Sequence, residues 1–330
     1  MPDPTVTLRD IYRARRRIAE IAVRTPLIES PQLTDCLGAP VYLKLENVQR
    51  TGAFKIRGAA NKLQTLSDEE RQRGVITVSS GNHGRAVAYV ARALGVDAVV
   101  CMSTRVPPNK VDGIRRLGAE VVLHGGSYDE AEEYAEQLQA TRGLTMISPF
   151  DDPDIIAGQG TIGLELLEDL PDIGTVIVPL SGGGLLSGIA LALKSADDAI
   201  RTIGVSMERA PVMFHSLRVG RPIEMEEEET LADALAGGIG LHNRYTFDMI
   251  REYVDETLLV TEEEIAAAMA FALQEHRLVV EGGGAVALAV ALHDRVAGAT
   301  GNTVVVISGG NVEIPLLLDI VRDSIASESQ

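Results

Sequence analysis

An α/β fold of two lobes, each built on a mostly parallel sheet, is what the sequence predicts, and three observations lead to it. From residue 74 onward, apolar β-branched runs alternate with helical stretches, and such βαβ alternation calls for a parallel sheet covered on both faces. The alternation closes near residue 149 and resumes as a second series at Val176. A chain of 330 residues with 45% hydrophobic content is also long enough to fill one large core or two lobes. The predicted division is therefore 1–70 plus 150–330 for the larger lobe and 71–149 for the smaller. A cleft separates them, since ligands of such sheets sit beyond the carboxyl ends of the strands.

The elements follow in order. Thr7 precedes a helical pattern from Leu8 to Ala22, with Asp10 placed for a capping-type start. Arg13 and Arg15, Arg16 and Arg17 make this helix basic, as befits a surface or an oligomer contact. Residues 40–45 read as a strand, and a helix runs from the Lys55 segment to about Leu66. Strands are predicted at Val75–Val78, Ala98–Met102, Val121–Leu123 and Thr145–Ile147, with helices at 84–94, 108–117 and 127–140. The second series has strands at Val176–Pro179, Thr202–Ser206 and Val304–Ile307, and helices at 185–192, 262–277 and 285–292. Thr261 and Glu264 form a capping box for the helix at 262.

Composition excludes several classes of function. A formal charge of −17 argues against nucleic acid as a partner, because phosphate contacts need clustered basic residues. No apolar run approaches the ~20 residues of a membrane span, and the N-terminus lacks a signal-peptide layout, so a cytoplasmic protein is expected. The two cysteines, Cys36 and Cys101, sit in apolar contexts without metal or redox spacing and read as small buried hydrophobes.

Chemistry concentrates in a few short segments. Lysine is scarce, and Lys55 lies between Phe54 and Ile56 among glycine and alanine. A desolvated amine there has a lowered pKa and can attack a carbonyl, although a lysine snorkelling from a helix end has the same local look. The turn Ser79-Ser80-Gly81-Asn82-His83 follows a strand and opens a helix, offering donors to an anion or simply capping the helix. Ser181-Gly182-Gly183-Gly184-Leu185 also joins a strand to a helix, and its glycines let the backbone approach a phosphate. A tight strand–helix turn is one rival reading of that loop. A dinucleotide fingerprint is another, except that Ser187 stands where its third glycine belongs. Ser308 ends a buried strand, as a turn cap or a ligand contact. Glu281 opens an Ala-rich helix, as an active-site carboxylate or a charge complementing the helix dipole.

The run Glu46-Asn47-x-Gln49-Arg50-Thr51-Gly52-Ala53-Phe54-Lys55-Ile56-Arg57-Gly58-Ala59 resembles the cofactor-lysine motif of fold-type II pyridoxal-phosphate enzymes. The branch it is most similar to is the threonine/serine dehydratase and serine racemase group, and the likeness extends from about Thr7 to about Leu318 through four separated motifs. It implies a tryptophan synthase β-like fold with pyridoxal 5′-phosphate in the cleft and a mobile smaller domain. Lys55 would carry the cofactor as a Schiff base beside Phe54, and the backbone N–H groups of residues 181–185 would hold its phosphate. Asn82 would reach its 3′-oxygen and Ser308 its ring nitrogen. Ser79, Ser80, Gly81, Asn82 and His83 would surround the substrate carboxylate, with Gln159 and Glu281 also lining the substrate site. Ser80 would lie on the cofactor face opposite Lys55 and could serve there as a second acid/base.

Departures from the family are Ala53 in place of serine, Gly282 in place of proline after the glutamate, and Ser206-Met207 where several members have a cation-binding glutamate and a proline. No metal is expected. The implied reaction is α,β-elimination of water from a small-molecule β-hydroxy amino acid, giving a 2-oxo acid and ammonia. A hydroxyl facing the ring nitrogen makes the ring a weaker electron sink and favours elimination over transamination. The text around 7–62 and 203–211 is similar to the dehydratase of hydroxyectoine breakdown, whose substrate would be a β-hydroxylated diaminobutyrate derivative. A racemase of the same family and a NAD-dependent dehydrogenase are the alternatives. A homodimer is expected from the relatives, and no C-terminal regulatory domain is expected from the length.

Overall fold

A computed structural model describes residues 5–293, 295–296 and 301–328. The chain opens with α1 (Leu8–Ile18), β1 (Leu27–Glu29), α2 (Pro31–Leu37), β2 (Val41–Leu45) and α3 (Lys55–Thr65). Then come α4 (Asp68–Arg73), β3 (Val75–Val78), α5 (Asn82–Leu94), β4 (Ala98–Met102), α6 (Pro108–Arg116), β5 (Glu120–Leu123), α7 (Tyr128–Arg142) and β6 (Thr145–Met146). After α8 (Pro153–Asp169) run β7 (Ile173–Pro179), α9 (Gly184–Ala196), β8 (Arg201–Met207), α10 (Val212–Val219), α11 (Thr246–Tyr253) and β9 (Glu256–Val260). The chain ends with α12 (Glu262–His276), α13 (Gly282–Leu292), β10 (Asn302–Ile307) and α14 (Ile314–Glu328).

Two sheets result among the described residues. The larger has the order β1-β2-β10-β7-β8-β9 and the smaller β5-β4-β3-β6. Every pairing is parallel except β1 against β2. The smaller sheet uses only residues between Val75 and Met146, while the larger takes its strands from both flanking parts of the chain. Val304, Val305 and Val306 of the central β10 are wholly buried, as a parallel strand covered on both faces requires.

Two helices differ instructively from expectation. α1 ends at Ile18, where the N–H groups of Ile21 and Ala22 both turn back onto the Ile18 carbonyl, so the helix does not reach Ala22. Its start is as expected, with the Asp10 carboxylate accepting from the Thr7 N–H at 3.1 Å. Its basic face is partly tied down, Arg15 pairing with Glu168 of α8 and Arg17 donating to Asn61 of α3. The segment Ala157–Thr161, whose Gln159 the resemblance places at the substrate site, lies inside the 17-residue α8. Glycines at 158, 160 and 163 break the apolar period there, yet they are what brings the helices together. A Cβ on Gly158 would stand 2.6 Å from the Arg57 carbonyl of α3, and one on Gly188 2.6 Å from the Gly160 nitrogen. The cysteine reading needs one correction: Cys101 is buried in β4, with its thiol pushed up to about 11 by burial, but Cys36 is exposed at the end of α2.

Candidate active site

The sheet order explains why distant motifs meet. β2, β10 and β7 are parallel neighbours, with Leu45 opposite Ile307 and Val304 opposite Val176. Their carboxyl ends therefore share one edge of the sheet. That edge delivers the segment leading to Lys55, the Ser308 turn and the glycine loop at 181–184 to one crevice. Local bonds hold them in register: the Phe54 N–H donates to the Ser308 carbonyl at 3.0 Å, and Ala53 pairs with Gly309. Ala53 is completely buried at that bridge, so the hydroxyl that many family members carry there would have to find a partner.

Lys55 is the first residue of α3. Its Nζ donates to the Pro149 carbonyl at 2.7 Å and lies 5.2 Å from the centre of the Phe54 ring. Burial lowers its pKa to about 8, and no carboxylate offsets that cost. A helix N-terminus also disfavours a cation, so the position is suited to a neutral, nucleophilic amine.

Beneath Lys55, α3 is anchored by a buried charge network that sequence reading did not identify. The Arg57 guanidinium donates to Glu46 Oε1 at 2.7 Å and Oε2 at 2.8 Å, and to Glu165 Oε1 at 2.6 Å and Oε2 at 2.9 Å. Lys44 joins Glu165 at 2.7 Å, and Thr25 donates to Glu46 at 2.5 Å. Burial pushes the Glu46 carboxyl up, but Arg57 and Thr25 outweigh it and hold it below its ordinary value. From the same helix α8 that carries Glu165, Gln159 is 1% exposed and accepts from the Gly58 N–H at 3.2 Å, capping the first turn of α3. The structure thus turns Gln159 toward the helix that carries Lys55.

The glycine loop is a cradle that side chains would fill. A Cβ on Gly182 would meet the Phe150 ring, with Cδ2 at 2.7 Å, and one on Gly184 would lie 2.8 Å from the Phe150 carbonyl. Gly183 has φ of +90°, the left-handed region that favours glycine. The Ser181 hydroxyl is already committed to the Leu235 carbonyl at 2.8 Å, so Ser181 offers an anion its backbone N–H. The first-turn amides of α9, Leu185 included, have no partner within their own helix and point at the same place. Phe150 follows Pro149, the residue that holds Lys55, so amine and cradle adjoin through a single dipeptide.

From the smaller sheet, the loop after β3 closes the crevice. The His83 ring is buried, and its Nε2 lies 3.1 Å from the Ile147 carbonyl, which can only accept. Burial and the nearby Lys55 lower its pKa to about 3, so His83 is a neutral imidazole with its proton on Nε2. Ser79 Oγ accepts from the Gly81 N–H, and the Ser79 N–H is taken by the Cys101 carbonyl. Of this turn's donors, that leaves the half-buried Ser80 and the first turn of α5 facing the crevice. Asn82 reaches across to the larger sheet, donating to Glu281 at 2.6 Å and accepting from Asn311 at 2.7 Å. Glu281, 5% exposed, precedes α13 as its N-cap; burial raises its pKa to about 7 despite the Asn82 bond. Next to it, Gly282 leaves room for the Leu231 carbonyl, which any Cβ would strike, accounting for the missing proline. Ser308 is buried at the end of β10, its hydroxyl only 3.5 Å from the Gly283 carbonyl, a contact loose enough to yield to a ligand.

Pro149, Phe150 and Asn311 escaped sequence reading as site residues. The first two carry no motif, and Asn311 lies just past Ser308 in the same small polar turn. Among the described residues, no three His, Cys, Asp or Glu side chains gather as a metal site, and no helix is long and apolar enough to cross a membrane.

Fold and site define an α/β enzyme whose desolvated lysine faces an anion cradle at a helix N-terminus. Over residues 18–309 the chain matches the family described as pyridoxal-phosphate dependent enzyme, and it belongs to that family, in the fold-type II branch that holds the threonine dehydratases. It is 48% identical over 317 residues, 96% of each chain, to a putative threonine dehydratase of Sinorhizobium fredii. It is 44% identical over 326 residues to an L-threonine ammonia-lyase of Thermotoga maritima, covering 98% of this chain and 80% of that one. Among solved structures, maize serine racemase is similar with a TM-score of 0.91 and 33% identity, over 99% of this chain and 100% of that one. The cofactor is pyridoxal 5′-phosphate and the enzyme is a lyase of the ammonia-lyase type. The family matched is a pyridoxal-phosphate one, which leaves the nicotinamide reading of Gly182–Gly184 without support. The residues present fit it: an amine of lowered pKa, a cradle no Cβ can share, and a buried hydroxyl at the end of β10.

Proposed function

We propose that the protein is a dehydratase that removes water from a β-hydroxy amino acid, yielding a 2-oxo acid and ammonia. The observation that carries the reading is Lys55, its amine desolvated and held on the Pro149 carbonyl beside the glycine cradle. The bound cofactor supplies an electron sink for the carbanion that forms at Cα. Residues 181–185 would hold its phosphate, Asn82 would reach its 3′-oxygen, and Ser308 would meet its ring nitrogen with a neutral hydroxyl. The first-turn amides of α5 and Ser80 receive the substrate carboxylate. Lys55 removes the Cα proton, general-base work for which a pKa of about 8 is suited near neutral pH. The β-hydroxyl then leaves as water, carrying the proton that Lys55 took from Cα, and addition of one water to the enamine's imine tautomer releases ammonia and the 2-oxo acid.

Curated relatives named for L-threonine make threonine and serine the first substrates to test. A β-hydroxylated diaminobutyrate derivative, as in hydroxyectoine breakdown, is the more specific reading; it rests on sequence likeness. The test is 2-oxo acid and ammonia release by the cofactor-loaded protein from each of these, with Lys55→Ala as control. We expect Lys55→Ala to lose turnover and the visible absorbance together; retention of both refutes the assignment. Likeness to serine racemase keeps one other outcome open to measurement: exchange of the Cα hydrogen with inversion, abolished by Ser80→Ala, would make this a racemase.

A further inference from the structure

Asn82 of the proposed cofactor set is gripped by two side chains from across the boundary between the two sheets, Glu281 and Asn311. Its Oδ1 accepts from Asn311 Nδ2 at 2.7 Å. Asn311 Nδ2 also donates to the Thr51 carbonyl at 2.8 Å, and Asn311 Oδ1 accepts from Arg85 at 3.2 Å. The Asn311 amide is therefore oriented by partners of fixed polarity, and it forces the oxygen of Asn82 toward itself. The Asn82 Nδ2 group must then face Glu281, and it does so at 2.6 Å. An amide nitrogen carries two protons. With one spent on Glu281, the other is the donor left for the cleft.

We infer that Glu281 is a positioning residue that acts through Asn82: its carboxylate fixes the rotation of the Asn82 amide and so aims the remaining N–H at the cofactor's oxygen. This rests on the proposed function above and deepens it, replacing direct substrate contact as the role of Glu281. The carboxylate can switch. Burial places its titration near pH 7, and the charge-assisted bond to Asn82 weakens to a neutral one when Glu281 takes up a proton. Two charged groups on other elements act on Glu281. Asp233, in the turn at 233–235, raises its pKa, and Lys110 of α6 lowers it, the two being paired with each other at 3.0 Å. Arg209, Glu228, Glu229 and Glu262 line the adjoining cavity of about 500 Å³.

The experiment compares the wild type with Glu281→Gln, which keeps shape and an acceptor but cannot titrate. The visible absorbance of each cofactor-loaded protein is followed from pH 5.5 to 9. In the cofactor-free proteins, amide-exchange protection of residues 79–85 is followed over the same range. We expect the wild type to show a transition near pH 7 in both, with protection rising as Glu281 ionises, and Glu281→Gln to show neither. Glu281→Ala should lower kcat at least tenfold with KM changed less than threefold, because the substrate loses no direct contact. A wild-type transition that survives unchanged in Glu281→Gln overturns the inference, as does a wild type with no transition. Failure of the underlying reading looks different: the wild type would then show no visible band and no borohydride-trapped adduct on Lys55.

Discussion

Lys55 owes its chemistry to what surrounds it, and that can be measured without turnover. Its folded pKa of about 8 lies below the ~10.4 of an exposed lysine, so between those values the unfolded chain binds more protons than the folded one. Stability contributed at this position therefore rises as pH climbs from 8 toward 10. The difference in unfolding free energy between the cofactor-free wild type and Lys55→Met should move in the wild type's favour over that window, as read by urea melts at stepped pH. A flat difference would mean that the amine is solvated. Arg57 presents the opposite case, a cation satisfied by two buried carboxylates. Replacing Arg57 with Met leaves Glu46 and Glu165 facing each other, and we expect a loss of about 3–5 kcal/mol in chemical denaturation. Adding Glu46→Gln should restore part of that loss. Glu46 stands 11 positions from Arg57 within the same motif, but Glu165 is 108 positions away, which is why the motif displayed Lys55 and only part of its foundation.

Elements show the same split between local and distant causes. Strand–turn–helix units such as β7–α9 are readable because a run of β-branched residues ends in glycines and an apolar helix follows, all within about twenty residues. α8 was not readable, since its glycines interrupt the helical period, and only the approach of α3 and α9 explains them. Gly188→Ala should force α8 and α9 apart and cost about 1–3 kcal/mol, measurable as a fall in the urea midpoint. The effect should exceed that of Gly95→Ala, where the added Cβ meets nothing and only the left-handed φ of +67° is strained. β9, α11 and α14 also went unassigned. Their burial is partial along one side, so their apolar residues make no continuous signal.

For the molecule as a whole, the site exists only where the two sheets face one another. Lys110 with Asp233 and Asn109 with Glu313 add rim contacts between them, at 3.0 and 2.9 Å. Exposed pairs of this kind contribute below about 1 kcal/mol each, so the rim holds the crevice shut only weakly, and we propose that the 71–149 unit moves against the rest during turnover. Binding of cofactor to the folded protein alone should stabilise it by about 2.7 kcal/mol at a hundredfold excess over Kd. Pyridoxal without its phosphate should raise Tm far less, since it leaves the α9 amides empty; an equal rise would remove the cradle from the argument.

Chain order and composition were enough to establish an α/β protein of parallel sheets, the lysine, the glycine loop and the turn at residues 79–83. Each is a short stretch whose chemistry is legible from its immediate neighbours. Folding alone decided that Asn82 would meet Glu281, 199 positions away, that Pro149 would hold the lysine, and that Gln159 would cap a helix. Those contacts depend on which strands lie side by side, and strand order is chosen by the summed burial of the whole core, which no single segment encodes.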